Sequence, residues 1–578
     1  MWLLIILLTI PEYEWESDNK FTISSYNLEE LSRLKDNPID LNTATFAEIV
    51  RLPWISAVLA EKIIIERSQH PFRDTCDFIQ RLHISKTLWE KIAPYVMVGY
   101  TRKRPTLPTK LRLSQRLRTI RGYQRTGCLG SPYEARTFLQ VQYPERFAFH
   151  LLTQKDLYEL HYDDFVSWGI DMRLPQVDRL FVGNYALEFG ESLIFGPPYR
   201  RIKFYALKGA SRLIMPYRMD GNENRTLQGI AMKHELAGIS GVGFASYTMR
   251  DARIYHDTVN RIIYENLYHD TYSNITAKNR VAELLYGLYI GKNWFGFTLS
   301  TLNYWGDYEF AIPTRCKMIS LMWDLPIRGG VTFYGEIGRT IWDSHGDAQV
   351  IGITYRRGKC RLTLLWRNYE DGFYAPFGNP LRGAHSSGER GLILAYTHAV
   401  RGCKFNFYID RYLISHTQPY VDYRMTILYN FWHNYAVYVS YREKKATNDP
   451  QYYRSELRYD IRYRENTFEL RTRVVRVWSS SSAGCLFYIE MGKKLAGYSI
   501  SLRYTVFGAN ESSVAYVYQF ENVAGIIRNI PLYGDGERML LKLTLPVRSS
   551  TVHLFYVFYV KGEQLRKHEL GIRWDVRI

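Results

Sequence analysis

Apolar positions recur with two different periods along this chain, and the change falls near residue 100. From Pro38 to Val98 the spacing is helical. Thr45 and Glu48 stand at capping-box spacing and predict a first short helix, which Pro53 ends. Ser56 is placed to cap a second helix with Leu59, Ala60, Ile63 and Ile64 on one face. Asp74 is placed to cap a third, carrying Phe78, Ile79 and Leu82, and Ser85 a fourth, carrying Leu88 and Ile92 and stopped by Pro94. The segment Leu-Pro-Trp-Ile-Ser at 52–56 is echoed by Arg-Leu-His-Ile-Ser at 81–85, so the four helices read as two repeated hairpins.

Beyond residue 110 the period becomes two. Leu457, Tyr459, Ile461 and Tyr463 alternate with Arg458, Asp460, Arg462 and Arg464; a short turn at Glu465–Asn466 follows. Phe468 and Leu470 then alternate with Glu469, Arg471 and Arg473, predicting a hairpin with one apolar and one charged face. The same alternation runs through Tyr435/Val437/Val439/Tyr441, Tyr498/Ile500/Leu502/Tyr504/Val506 and Leu541/Leu543/Leu545. The chain ends on Leu570, Ile572, Trp574, Val576 and Ile578, an alternating strand that resembles the assembly signal of outer-membrane proteins. Trp574 is expected to face lipid near the bilayer midplane. At about 10 residues per spanning strand plus loops, the chain after the linker has room for roughly 16 to 24 strands of a transmembrane barrel.

Composition sharpens this. The 578 residues exceed one ordinary core. No run after the N-terminus reaches the roughly 18 to 20 apolar residues of a spanning helix, a test that barrel strands evade. Residues 2–10 are apolar and precede Pro11, which predicts a signal peptide within residues 1–15, with the cleavage site open. Forty-seven tyrosines suit an interfacial aromatic belt, and the net charge of +18 is expected on a barrel lumen and its rims. Residues 99–110, with Arg102, Lys103, Arg104 and two prolines, read as a basic extended linker. The six cysteines show no metal or redox spacing and read as isolated buried thiols.

The segment Ile-Asp-Leu-Asn-Thr-Ala-Thr at 39–45, the turn at 52–56 and the later Ala60 and Ile63 resemble the double helix-hairpin-helix domain of competence-type DNA receptors. That resemblance implies non-specific contact with double-stranded DNA: the hairpin turn brings backbone N–H groups against a phosphate, as at other helix N-termini. The residues it points to are Pro53, Trp54, Ile55 and Ser56 in the first turn, His83, Ser85 and Lys86 in the second, and Lys62 and Arg67 nearby. Glycines are usual in that family where this chain has Trp54 and Ser56, and a side chain there impedes close phosphate approach. Residues 181–196 resemble a Gly-Asp-Tyr…Phe-Gly-Gln-Gly-Leu pattern of bacterial barrels that carry such a domain, departing from it at Asn184, Glu191 and Ser192.

Other chemistry is thin. The glycines of 238–244 lack a β-α-β context for dinucleotide binding. His256–Asp257 and His269–Asp270 have no positioned nucleophile beside them and read as loop residues. The expected fold class is α+β and multidomain: a small all-α double helix-hairpin-helix domain over 38–98, the linker, and a large antiparallel transmembrane β-barrel over 111–578. The expected function is non-enzymatic, in the bacterial outer membrane, with the helical domain in the periplasm and no cofactor. Double-stranded DNA, outer-membrane lipid and a periplasmic protein partner are the partners considered. The alternative is a barrel transporter or assembly protein whose helical module is a plug or docking domain without DNA binding.

Overall fold

The computed structural model describes residues 39–42, 44, 49, 55, 57–82, 84, 88–89, 92–98, 110–122 and 127–577, the last stretch less 144–145, 175–176, 197–213, 217–222, 266, 293, 382–387, 401, 416–417, 432–433, 450–452, 496, 510–516, 524–525 and 563–564. The expected leader, most of the linker, and the caps at Thr45, Ser56 and Ser85 fall outside these residues.

In the helical module, α1 spans Ala57–Gln69 and α2 spans Thr75–Leu82. Asp74 caps α2 as its position predicts: its Oδ1 accepts from the Asp77 N–H at 2.9 Å, and the Asp77 carboxylate accepts in return from the Arg73 N–H at 2.9 Å. Pro94 sits in a 3-10 turn, Ala93–Tyr95, where helical backbone gives way to extended chain. A short parallel pairing of Ile39–Asp40 with Val96–Met97 ties the beginning of the module to its end. Between them lies a closed apolar core of Leu41, Ile49, Ile55, Ala60, Ile63, Phe72, Phe78, Leu82, Ile84 and Ile92. Ile55 and Ile84 occupy matching places in the two repeats and are both buried.

The rest closes into an antiparallel barrel. Its wall has twenty-four main strands of nine to fourteen residues, and a short Ile214–Pro216 strand extends one edge. Closure is made by the first strand, Lys110–Arg121, pairing with the last, Leu565–Arg577, in the register Leu117↔Ile572. A twenty-four-strand wall lies within the range that sequence length allows. Turns of two or three residues join strands at one end, and connections as long as Leu187 to Leu227 join them at the other. Lys110 and Arg577 both lie at the short-turn end.

Alternation is kept strand by strand. Leu457, Tyr459, Tyr498, Ile500, Leu502, Tyr504, Val506, Leu570, Ile572 and Trp574 are exposed on the outer face, while Arg458, Asp460, Arg462, Arg471, Arg473, Glu569 and Asp575 are buried inside. An outward row of exposed apolar side chains is the surface that lipid covers. Trp574 lies three residues from the strand end, so it belongs near the interface; Leu570 and Ile572 flank the strand centre. That corrects the midplane expectation. The cysteine expectation also fails in part, because Cys316 is buried but Cys76 and Cys485 are exposed. No described helix is long and apolar enough to cross a membrane.

Inward arginines are compensated by carboxylates from neighbouring strands, since a buried charge needs a partner. Arg367 bonds Glu389 at 2.5 Å and Asp410 at 2.8 Å, and Asp460 accepts from Arg458 and Arg473, each at 2.6 Å. Two inserts fill part of the interior. Residues 188–196 leave the strand Val177–Leu187 and turn inward: Phe189 stacks on Tyr289 at 4.7 Å, and Phe195 meets Phe244 at 5.2 Å. Gly190, at φ +51, has no room for a Cβ, which would lie 2.9 Å from both Glu336 Oε2 and Met322 Sδ. A hairpin of Val517–Val523 and Ile526–Leu532 packs on the inner wall, its Glu521 held by Arg538 and its Arg528 by Glu569.

Candidate nucleic-acid interface and a buried histidine–carboxylate cluster

Of the residues expected to contact DNA, Pro53, Trp54, Ser56, His83, Ser85 and Lys86 lie outside those described. Ile55 is fully buried, so its side chain belongs to the core and only its backbone is left for a phosphate. Lys62 is exposed on α1. Arg67 is half-buried and donates from Nη1 to the Leu41 carbonyl at 2.8 Å, tying α1 to the strand before it.

Two residues that sequence reasoning passed over hold the module in shape. Asn42 donates to the Phe72 carbonyl at 2.9 Å and accepts from the Phe72 N–H at 2.8 Å, so one side chain pins a distant backbone in both directions. Arg81 donates to the carbonyls of His70 and Glu66 and lies over the Phe72 ring at 4.7 Å. Asn42, which belongs to the 39–45 motif, therefore acts on the scaffold.

The second site lies at the long-connection end of the barrel. His269, read as a loop residue with Asp270, does lie in a connection, but it is buried between carboxylates. Its Nδ1 is 2.5 Å from Asp164 Oδ2 and its Nε2 is 3.0 Å from Asp251 Oδ2. Asp164 Oδ1 also accepts from Lys278 Nζ at 2.7 Å. Asp251 accepts from the Asn279 N–H at 2.9 Å and from Asn224 Nδ2 at 3.0 Å. Glu159 accepts from the backbone N–H groups of His269 at 3.0 Å and Asp156 at 2.6 Å. Three connections, 156–164, 223–226 and 251–280, are thus joined through one imidazole. By contrast, His256 and Asp257 form the tight turn between the strands Ala252–Tyr255 and Thr258–Ile262, both at positive φ.

Burial opposes a charged imidazole here, but the hydrogen bonds and charges of Asp164 and Asp251 outweigh it and push the His269 pKa up to about 10. Burial would raise both carboxyls too; the bonds from His269, with Lys278 for Asp164 and the Asn279 N–H for Asp251, hold them below their ordinary range. Glu223 is different. It is buried, its Oε1 has no hydrogen-bond partner, and it feels Asp156, Glu159 and Asp164. Burial and those three charges push its carboxyl well above the usual range, against a smaller opposing effect of His269. Oxygens of Glu159 and Asp164 and a ring nitrogen of His269 lie within 4.8 Å of one another, close enough to hold a metal ion. Sequence spacing carried no sign of this group, because its members lie on separate connections at one end of neighbouring strands, at positions as far apart as 159 and 269.

Residues 35–97 match the family model of the helix-hairpin-helix motif. No characterised protein sequence matches the chain significantly. Among solved structures, the chain is similar to the E. coli P pilus tip assembly intermediate PapC-PapD-PapK-PapG (10% identity over 83% of this chain and 63% of that one, TM-score 0.47). It is also similar to the FrpB iron transporter from Neisseria meningitidis (8% identity, 81% and 83% covered, TM-score 0.38). A third is OpdQ of Pseudomonas aeruginosa (12% identity, 64% and 96% covered, TM-score 0.33). The chain joins a helix-hairpin-helix motif to a closed barrel with an apolar outer face.

Proposed function

We propose that this is a non-enzymatic outer-membrane barrel whose helix-hairpin-helix module lies in the periplasm and contacts double-stranded DNA through its phosphates during uptake or surface handling. The observation that carries this reading is the attachment of the motif at residues 35–97 to a barrel whose first and last strands both open at the short-turn end. Short turns face the periplasm in outer-membrane barrels, so the chain preceding Lys110 is delivered to that side. Exposed Lys62 supplies a charge, and the turn at Pro53, Trp54, Ile55 and Ser56 supplies backbone donors, with His83, Ser85 and Lys86 in the repeated hairpin.

Anisotropy of a labelled duplex titrated with the detergent-solubilised full chain tests this. Expected are affinities of about 10⁻⁴ to 10⁻⁶ M, a steep fall with salt and little sequence preference. Lys62→Glu weakens binding, and the double change Trp54→Gly, Ser56→Gly tightens it by opening the turn. Silence from both the unmodified chain and the double-glycine variant removes DNA from the account.

A second reading is a transporter or assembly barrel whose module docks a periplasmic protein. It is favoured by Arg67 and Arg81, whose guanidinium groups bond carbonyls of their own module.

A further inference from the structure

Glu223 is buried beside the histidine–carboxylate cluster, and its Oε1 has no hydrogen-bond partner. A buried carboxylate without a donor costs free energy, and this one also faces three other carboxylates. Around it stand Asp156, Glu159, Asp164 and Asp251, with Lys155, Lys278 and His269 as the opposing cations. Carboxylates are in excess in this cluster. His269 is oriented as a metal-ligating histidine is: its Nε2 faces the Asp251 carboxylate at 3.0 Å, and Asp251 is fixed by Asn224 and Asn279. A carboxylate behind one ring nitrogen sets the tautomer that offers the other nitrogen as a ligand. That other nitrogen, Nδ1, faces Asp164.

We propose that Glu159, Asp164 and His269, whose ligand atoms lie within 4.8 Å of one another, form a binding site for a divalent transition-metal ion at the long-connection end of the barrel. One imidazole nitrogen and two carboxylate oxygens make a mixed set that suits zinc-class ions, with a water as the fourth neighbour. Ligand bonds of about 2.0–2.2 Å require Nδ1 and Asp164 to part by about 1 Å, with the ion taking the place of the proton between them. The ion staples the connections 156–164 and 251–280 to each other, and its charge offsets that of the carboxyls near Glu223. The inference is independent of the nucleic-acid reading.

Zn²⁺ titrated calorimetrically into the EDTA-treated, detergent-solubilised full chain tests it. One equivalent binds, and the temperature at which the folded band converts to the unfolded band on a gel rises. His269→Gln and Asp164→Asn each weaken binding at least tenfold, and Asp251→Asn weakens it about 10- to 100-fold through the outer shell. X-ray absorption at the zinc edge of the unmodified protein shows four N/O neighbours including one imidazole, which decides the matter even where a variant does not fold. Absence of stoichiometric Zn²⁺ binding overturns the site. So does Zn²⁺ binding unchanged by His269→Gln and Asp164→Asn, or a preference for Ca²⁺ that survives His269→Gln.

Discussion

Asp460 accepts from Arg458 and Arg473 at 2.6 Å and lies 3.5 Å from Arg471, all inside the barrel. Removing it leaves three buried cations short of a counter-charge. Asp460→Ala should therefore destabilise the barrel by roughly 3–5 kcal/mol, read as a lower midpoint for loss of the folded gel band; a midpoint equal to that of the unmodified protein refutes the pairing. On the outer face, depth decides the cost. Leu570→Lys puts a charge near the strand centre at roughly 2–4 kcal/mol, whereas Trp574→Lys, near the strand end, costs about 0–1 kcal/mol. Arg573→Lys, on the inner face beside Asp575, should be mild. Insertion into liposomes measures all three, and equal effects would show that the faces or the depths are misassigned. The alternation of these residues was legible in the sequence. The partner of each charge was not, because register between strands sets it.

At the scale of elements, the inward segment 188–196 is held by stacking and by backbone bonds from Gly196 N–H to the Phe377 carbonyl and from Asn379 N–H to the Ser192 carbonyl, each 2.9 Å. Phe189→Ala with Phe195→Ala removes both aromatic anchors. The expected result is a rise in single-channel conductance in planar bilayers with the fold retained; conductance unchanged in a correctly folded variant means that the segment does not obstruct the lumen. The helical module presents the opposite case. Its two-fold repeat, its cap at Asp74 and its apolar face could all be read from local spacing, because each depends on neighbours three or four residues away. The two-way clamp of Asn42 on Phe72 could not, since it spans 30 residues. Arg67 was expected at the interface for its charge alone, while its position at the end of α1 turns it to the Leu41 carbonyl. Charge reversal at Arg67 should therefore lower the melting temperature of the module as well as any DNA affinity, whereas Lys62→Glu should leave the melting temperature unchanged. Circular dichroism separates the two.

At the scale of the whole molecule, the main barrel wall closes on itself among the described residues and carries an apolar outer face, the condition for a β structure to reside in lipid. The protein should sediment with outer membranes and resist carbonate extraction, and recovery in the soluble fraction would count against the barrel as a membrane structure.

What the sequence determined by itself is the class of each half and the face on which each side chain lies, because helical and extended periodicities are local and a one-residue slip in a strand would invert every apolar position. Tertiary structure alone decided the rest. Closure of the first strand on the last, the turning inward of 188–196 and 517–532, and the meeting of Glu159, Asp164, Glu223, Asp251 and His269 each bring together residues far apart in the chain. Nothing in their spacing encodes that meeting, which depends on how each connection folds over the end of the wall.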